Sequence, residues 1–115
     1  MRRGELWQVD LEPARGSEAN KTRPAVIVSN DRANATASRL GRGVITVVPV
    51  TSNVGTIYPF QVLIPAPDSG LTVDSKAQAE QVRSIAAHRL VRQIGRISPQ
   101  QLSELDDALR LHLAL

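Results

Sequence analysis

The sequence predicts a mainly β domain with one terminal helix, and three observations carry that prediction. Trp7, Val9 and Leu11 alternate with Gln8 and Asp10, Val44 to Val50 is a short run rich in β-branched residues, and Ser98-Pro99-Gln100-Gln101 opens a leucine-striped segment. The first two are strand patterns. The third is a helix start, with serine as N-cap, proline at the first helical position and Gln101 placed to complete a capping box. Several short strands followed by one helix give a small barrel or strongly bent sheet with the helix packed on it.

The first strand is ended by Pro13 and Gly16. Ala25 to Ser29 is the second strand, apolar on both faces and therefore central. Asn30 to Gly43 is polar and mixed, with Asn30, Asp31 and Asn34 as turn or cap residues and room for one helical turn. In the third strand, Val44 to Val50, Pro49 lacks a ladder donor and so marks an edge or a bulge. Thr51, Ser52 and Asn53 lie at its exit. Thr56 to Ile64 is a fourth strand, expected to pair after the turn at Asn53-Val54-Gly55, and Pro65 to Gly70 is a loop. Between Ser75 and Leu90 the apolar spacing of Val82, Ile85, Ala86 and Leu90, with alanine and glutamine around them, reads as helix. Arg92 to Ile97 is short and extended. Leu102, Leu105, Leu109 and Leu113 then make one stripe on the final amphipathic helix.

At 115 residues the chain fits one domain, residues 1–115, with 42% hydrophobic and 22% charged residues as in ordinary globular proteins. No apolar run is long enough to span a bilayer, and Met1-Arg2-Arg3 leads into Gly4-Glu5 rather than into a signal-like apolar region, so the expected location is the cytoplasm. The absence of cysteine excludes disulfides, zinc–thiolate sites and thiol nucleophiles. His88 and His112 are too far apart in sequence to form a spaced metal pair, so no metal or other cofactor is expected. The net charge is +3, and twelve of the fourteen basic residues are arginine, the exceptions being Lys21 and Lys76. Arginine offers a planar fork that binds phosphate bidentately, and the bias leans towards a nucleic acid.

The most informative stretch is Gly16 to Asn30. A polar loop carrying Glu18, Lys21 and Arg23 is joined by Pro24 to the second strand. Proline confines the preceding residue to extended conformations, which fixes the backbone of Arg23 at the junction and gives a cation suited to an anionic ligand. Taken singly, an arginine before a strand is usually a solvated loop residue, and a threonine ending a β-branched run is usually a good strand former. Glu18 and Lys21 would then be an exposed ion pair worth under about 1 kcal/mol.

With these segments in place the chain resembles the PemK/MazF family of toxin endoribonucleases from type II toxin–antitoxin systems. The markers are Gly4-Glu5-Leu6-Trp7 with Asp10 and Pro13, Gly16-Ser17-Glu18 followed by Arg23-Pro24, Val48-Pro49-Val50-Thr51, Tyr58-Pro59-Phe60 and Glu80-Gln81-Val82-Arg83-Ser84-Ile85. The resemblance runs from Arg3 to Leu115. It implies a small Src-homology-3-like, PemK-like β-barrel, a homodimer, and metal-independent, sequence-specific cleavage of single-stranded RNA. It also implies a cognate antitoxin, whose flexible acidic tail would occupy the RNA groove. Arg23 matches the family's essential arginine, Thr51 its essential threonine and Glu18 an acidic residue of the same loop. Ser17, Gln81 and Arg83 fall where family members contact RNA, and Lys21, Asn30 and Ser52 are assigned to the RNA-binding set with them. The resemblance makes Ser75 to Ile85 a strand, with helix confined to a short piece near Ala86 to Leu90, against the composition-based reading. Ala19 departs from the glutamine common after the glutamate, which bears on base preference.

Metal-free RNA cleavage uses the ribose 2′-hydroxyl as nucleophile and leaves a 2′,3′-cyclic phosphate and a 5′-hydroxyl. Arg23 suits charge stabilisation on the phosphoryl oxygens, Thr51 suits holding a non-bridging oxygen or the attacking hydroxyl, and Glu18 could take the 2′-proton if its pKa were raised. Two alternatives stand beside this reading: a non-catalytic toxin of the same barrel class that grips a protein such as DNA gyrase, and an RNA- or DNA-binding regulator. Neither needs Glu18, Arg23 and Thr51 together.

Overall fold

The computed structural model describes residues 1–11 and 22–115. Its strands are β1 (Glu5–Asp10), β2 (Thr22–Ile27), β3 (Val44–Thr51), β4 (Gln61–Ile64), β5 (Ser75–Gln78), β6 (Arg83–Ala86) and β7 (Leu90–Arg96), and its helices are α1 (Asp31–Leu40) and α2 (Pro99–Leu113). All pairings are antiparallel, in the order β4-β5-β3-β2-β1-β7, with β6 also beside β3. The mainly β expectation holds, but the ladder does not close into a barrel. Its two ends meet instead through packing: the segment after β4 lies against β7 so tightly that a Cβ on Gly70 or Gly95 would collide with the opposing carbonyl oxygen, of Ile94 or Ser69 respectively.

Alternation along the central strands sorts the core into two sides. Val26 of β2 and Val48 and Val50 of β3 join Leu6, Val62, Ile64 and Ala77 in a cluster that α2 covers with Leu105 and Ala108. Ala25 and Ile27 of β2 and Ile45 and Val47 of β3 turn the other way, to Val9, Ile85 and Ala37 of α1. The second strand is therefore apolar on both faces because it is central, between β1 and β3. Arg3 fastens the layers together: its Nε donates to the Val28 carbonyl (2.8 Å), its guanidinium reaches Asp106 of α2 (2.5 Å), and its backbone N–H donates to Asp31 of α1 (2.7 Å).

Four sequence readings need correction. The segment Asn30 to Gly43 holds a ten-residue helix rather than one turn, capped by the Asn30 side chain and ended by Gly41 at φ +64°. The fourth strand begins at Gln61, not Thr56, because the Gln61 N–H turns back to the Tyr58 carbonyl (2.9 Å) and Pro59 has no donor. It pairs with β5, not β3. Pro49 lies in a central strand, not at an edge: on one side it faces Ala25, while the other side of β3 is shared between β6 at Val44–Val47 and β5 at Val50 and Thr51, so Pro49 falls where the partner changes. Finally, Ser75 to Leu90 is not the helix that composition suggests but, close to what the resemblance implies, extended as β5 and β6, with a 3-10 turn Ala79–Gln81 between them and a 3-10 turn Ala87–Arg89 after them. The ladder with β3 outweighs local helix propensity there, as tertiary pairing commonly does. The capping box at Ser98 forms in both directions, Gln101 N–H to Ser98 Oγ (3.1 Å) and Ser98 N–H to Gln101 Oε1 (2.9 Å). No helix among the described residues is long and apolar enough to cross a membrane.

The leucine stripe of α2 is unequal. Leu105 is fully buried, whereas Leu113 is 49% exposed. Leu105→Ala is expected to lower the unfolding free energy by about 2–5 kcal/mol, and Leu113→Ala by under about 0.5 kcal/mol. Urea denaturation of the two variants measures the difference.

Candidate functional site

The β2–β3 register pairs Ala25 with Pro49, Val26 with Val48 and Ile27 with Val47. Continued by two residues, it sets Arg23 across from Thr51. Arg23 is also paired with Val9 of β1, and Thr51 with Lys76 of β5. Directly opposed residues in a sheet project from the same face. Arg23, Thr51 and Lys76 therefore stand in one cross-strand row, on the side of the sheet that carries Val47 and Ile45. Arg83 opposes Val47 and so shares that face, about 13 Å along β3 from Thr51.

Arg23 and Arg83 are exposed and Thr51 is half-buried. The Thr51 Oγ1 accepts from the Asn53 N–H (3.3 Å), which leaves the hydroxyl proton free to donate outward. Ser52 is exposed beside it, and a pocket of about 220 Å³ at the strand ends is lined by Arg23, Pro24, Thr51, Ser52, Thr72 and Ser75. Among the described residues, ion pairs join Glu5 to the Met1 amine, Arg3 to Asp106, Arg89 to Asp10 and Arg110 to Asp107. Arg23, Lys76 and Arg83 take part in none of them; Lys76 is buried, whereas the two exposed arginines present positive charge that no described carboxylate pairs. Such a surface raises the local concentration of anions and suits phosphate, to which arginine donates in pairs.

Gln81 sits at the end of the 3-10 turn that leads into β6 and is exposed. That turn is braced from below: Gln61 Nε2 donates to Glu80 Oε2 (2.7 Å), and Gln61 Oε1 accepts from the Tyr58 N–H (3.1 Å). Asn30 is not brought to this row. It lies beyond the opposite end of β2, and its Oδ1 is engaged by the Ala33 N–H (2.8 Å) as the cap of α1. Ser17, Glu18 and Lys21 lie outside the described residues. A larger pocket, about 460 Å³, between Pro65–Ser69 and Arg96–Gln101 contains none of the predicted residues. Lys76 was not singled out in the sequence because neither composition nor the strand the resemblance implies shows which strand its segment joins. Only its pairing with β3 sets it beside Thr51.

The fold and this row of residues define a small antiparallel β domain with a basic face, and comparison with known proteins identifies the class. Residues 2–113 match the model of the PemK-like, MazF-like toxins of type II toxin–antitoxin systems, and the chain belongs to that family. It is 73% identical over 115 residues to endoribonuclease MazF9 of Mycobacterium tuberculosis, covering all of this chain and 98% of that protein. Among solved structures, MazF from Deinococcus radiodurans superposes with a TM-score of 0.77 at 28% identity, covering 100% of this chain and 97% of the other. A MazE–MazF structure from the same organism gives a TM-score of 0.80 at 26% identity, with 100% and 96% covered.

The placement of Asn30 gives a direct test of its role. Asn30→Ala is expected to destabilise the protein by about 1 kcal/mol through loss of the cap, and Asn30→Asp to restore most of that. Thermal denaturation of the two variants decides it.

Proposed function

We propose that this protein is a sequence-specific, metal-independent endoribonuclease toxin that cleaves single-stranded RNA by attack of the 2′-hydroxyl. The observation that carries this reading is the cross-strand placement of Arg23 and Thr51 on a face whose exposed arginines are paired with no carboxylate among the described residues. The close similarity to MazF9, an endoribonuclease, supports it.

In this reading the RNA backbone lies across the exposed part of this face, with the scissile phosphate between Arg23 and Thr51. The 2′-oxygen attacks phosphorus as it gives up its proton, the bond to the 5′-oxygen breaks as that oxygen takes a proton from solvent, and a 2′,3′-cyclic phosphate and a 5′-hydroxyl result. Arg23 donates to the non-bridging oxygens, where negative charge gathers, and its permanent protonation suits it to that task. The Thr51 hydroxyl, with one lone pair held by the Asn53 N–H, donates to a second phosphoryl oxygen or to the nucleophile. Glu18 is the proposed acceptor of the 2′-proton. Ser17, Lys21, Ser52, Gln81 and Arg83 hold the flanking RNA. The working form is a cytoplasmic homodimer, and a cognate antitoxin silences it by laying a flexible acidic tail across the same cations, a competition that charge complementarity favours. The MazE–MazF assembly of the Deinococcus relative supports that partner.

Arg23→Ala is expected to reduce cleavage about 100- to 1,000-fold with the circular dichroism spectrum unchanged. The assay uses purified protein, excess chelator and a long RNA, with a second RNA carrying deoxyribose at each mapped cut. Cuts that vanish at the deoxy positions support the mechanism, and cleavage of the deoxy RNA or full activity of Arg23→Ala refutes it.

A further inference from the structure

Lys76 is a buried cation with little to hold it. Only 7% of the residue is exposed. Its Nζ donates to the Thr56 carbonyl (2.6 Å) and lies 5.9 Å from the centre of the Tyr58 ring. No described carboxylate forms an ion pair with it. Removing an ammonium from water is unfavourable unless its new contacts compensate, and one carbonyl with one aromatic face is a thin set of contacts. A methionine would fill the same space without that penalty.

What the lysine holds is the segment between β3 and β4. Residues 52–59 are all exposed, so no fully buried side chain anchors them. The internal hydrogen bonds are long: Asn53 N–H to Thr51 Oγ1 at 3.3 Å and Gly55 N–H to Asn53 Oδ1 at 3.4 Å. Gln61 ties down the far end through the Tyr58 N–H, and Tyr58 stacks on Phe60 with ring centres 5.4 Å apart. The middle is fastened to the sheet at Thr56 by Lys76. The root of the segment is Thr51, whose backbone is the cross-strand partner of Lys76. The hydroxyl of Thr51 is in turn oriented by the Asn53 N–H.

We propose that Lys76 is a positioning residue, a latch that holds the Ser52–Tyr58 segment closed against β5 and thereby keeps the Thr51 side of the groove in its RNA-binding form. The proposal rests on the endoribonuclease reading for its effect on catalysis, whereas the latch itself is a property of the protein alone. With the latch absent the segment samples many conformations, and apparent affinity falls by the fraction that remains competent. Once RNA is bound, the reacting groups are unchanged, so the effect belongs in KM and not in kcat.

Lys76→Met keeps the apolar stem and removes the donor. Amide exchange at Asn53 and Gly55 is expected to accelerate and KM for a short single-stranded RNA to rise, each about tenfold, with kcat within about twofold of the parent. The dependence of log KM on log salt is expected to keep its slope. A slope shallower by about 0.7 would mean that the lysine neutralises an RNA phosphate directly, and the latch would be wrong. Unchanged exchange, or a fall in kcat at constant KM, also overturns it. If the parent protein cuts no RNA, the endoribonuclease reading fails while the exchange measurement still decides the latch. Tyr58→Ala, at an exposed position, removes the ring beside the ammonium. It is expected to move exchange and KM the same way by a smaller factor, and it carries the test should Lys76→Met not fold.

Discussion

The divided edge of β3 is the constraint on which the rest of the structure depends. One side of this strand is zipped to β2, and the other is shared between β6 at its start and β5 at its end. Its alternation feeds both cores at once, Ile45 and Val47 towards α1 and Val48 and Val50 towards α2. A slip of one residue would exchange the two faces of the strand, turning Val47 towards the α2 core and the half-buried Thr46 into the α1 core. The register that satisfies the cores is the one that sets Thr51 across from Arg23 and beside Lys76. Packing and site are thus specified by the same choice of partners.

Pro49 is part of that specification. It has no N–H to give, and it sits where the second edge of β3 passes from β6 to β5. The 3-10 turn Ala79–Gln81 occupies the corresponding point of the facing segment, between β5 and β6, held by the Ala79 N–H to the Phe60 carbonyl (3.2 Å) and by the Glu80–Gln61 contact. Gln81 is exposed at this interruption, between β5 and β6.

Much of this was legible in sequence where one segment carried its own signal. The alternation of β1, the two-sided apolar run of β2, the β-branched β3 and the reciprocal cap at Ser98 each predict the element that forms. The helix α1 was not legible because it buries only Asn34 and Ala37. Small and polar residues give no apolar stripe. The stretch from Ser75 to Leu90 misled for the opposite reason: alanine and glutamine favour a helix locally, and only pairing with β3, distant in sequence, makes it extended. Arg23 and Thr51 could be picked out through family resemblance. Lys76 could not, because its significance lies in which strand it joins.

The charges of the site follow a different rule from those of the scaffold. Arg3 and Asp106 are paired between the layers, and Asp10 meets Arg89, so cations that hold the fold have carboxylates. Arg23 and Arg83 have none among the described residues, and Lys76 has a carbonyl. Like charges on one face repel, which destabilises the free protein and is relieved when an anion arrives. Stability alone does not account for this arrangement, because neutral residues at the same three positions would remove the repulsion. The division of labour also differs within the three. The exposed arginines can meet a ligand as the protein stands, whereas the lysine is covered by the segment it fastens, so its contribution is made before binding, in the shape of the groove that the ligand finds.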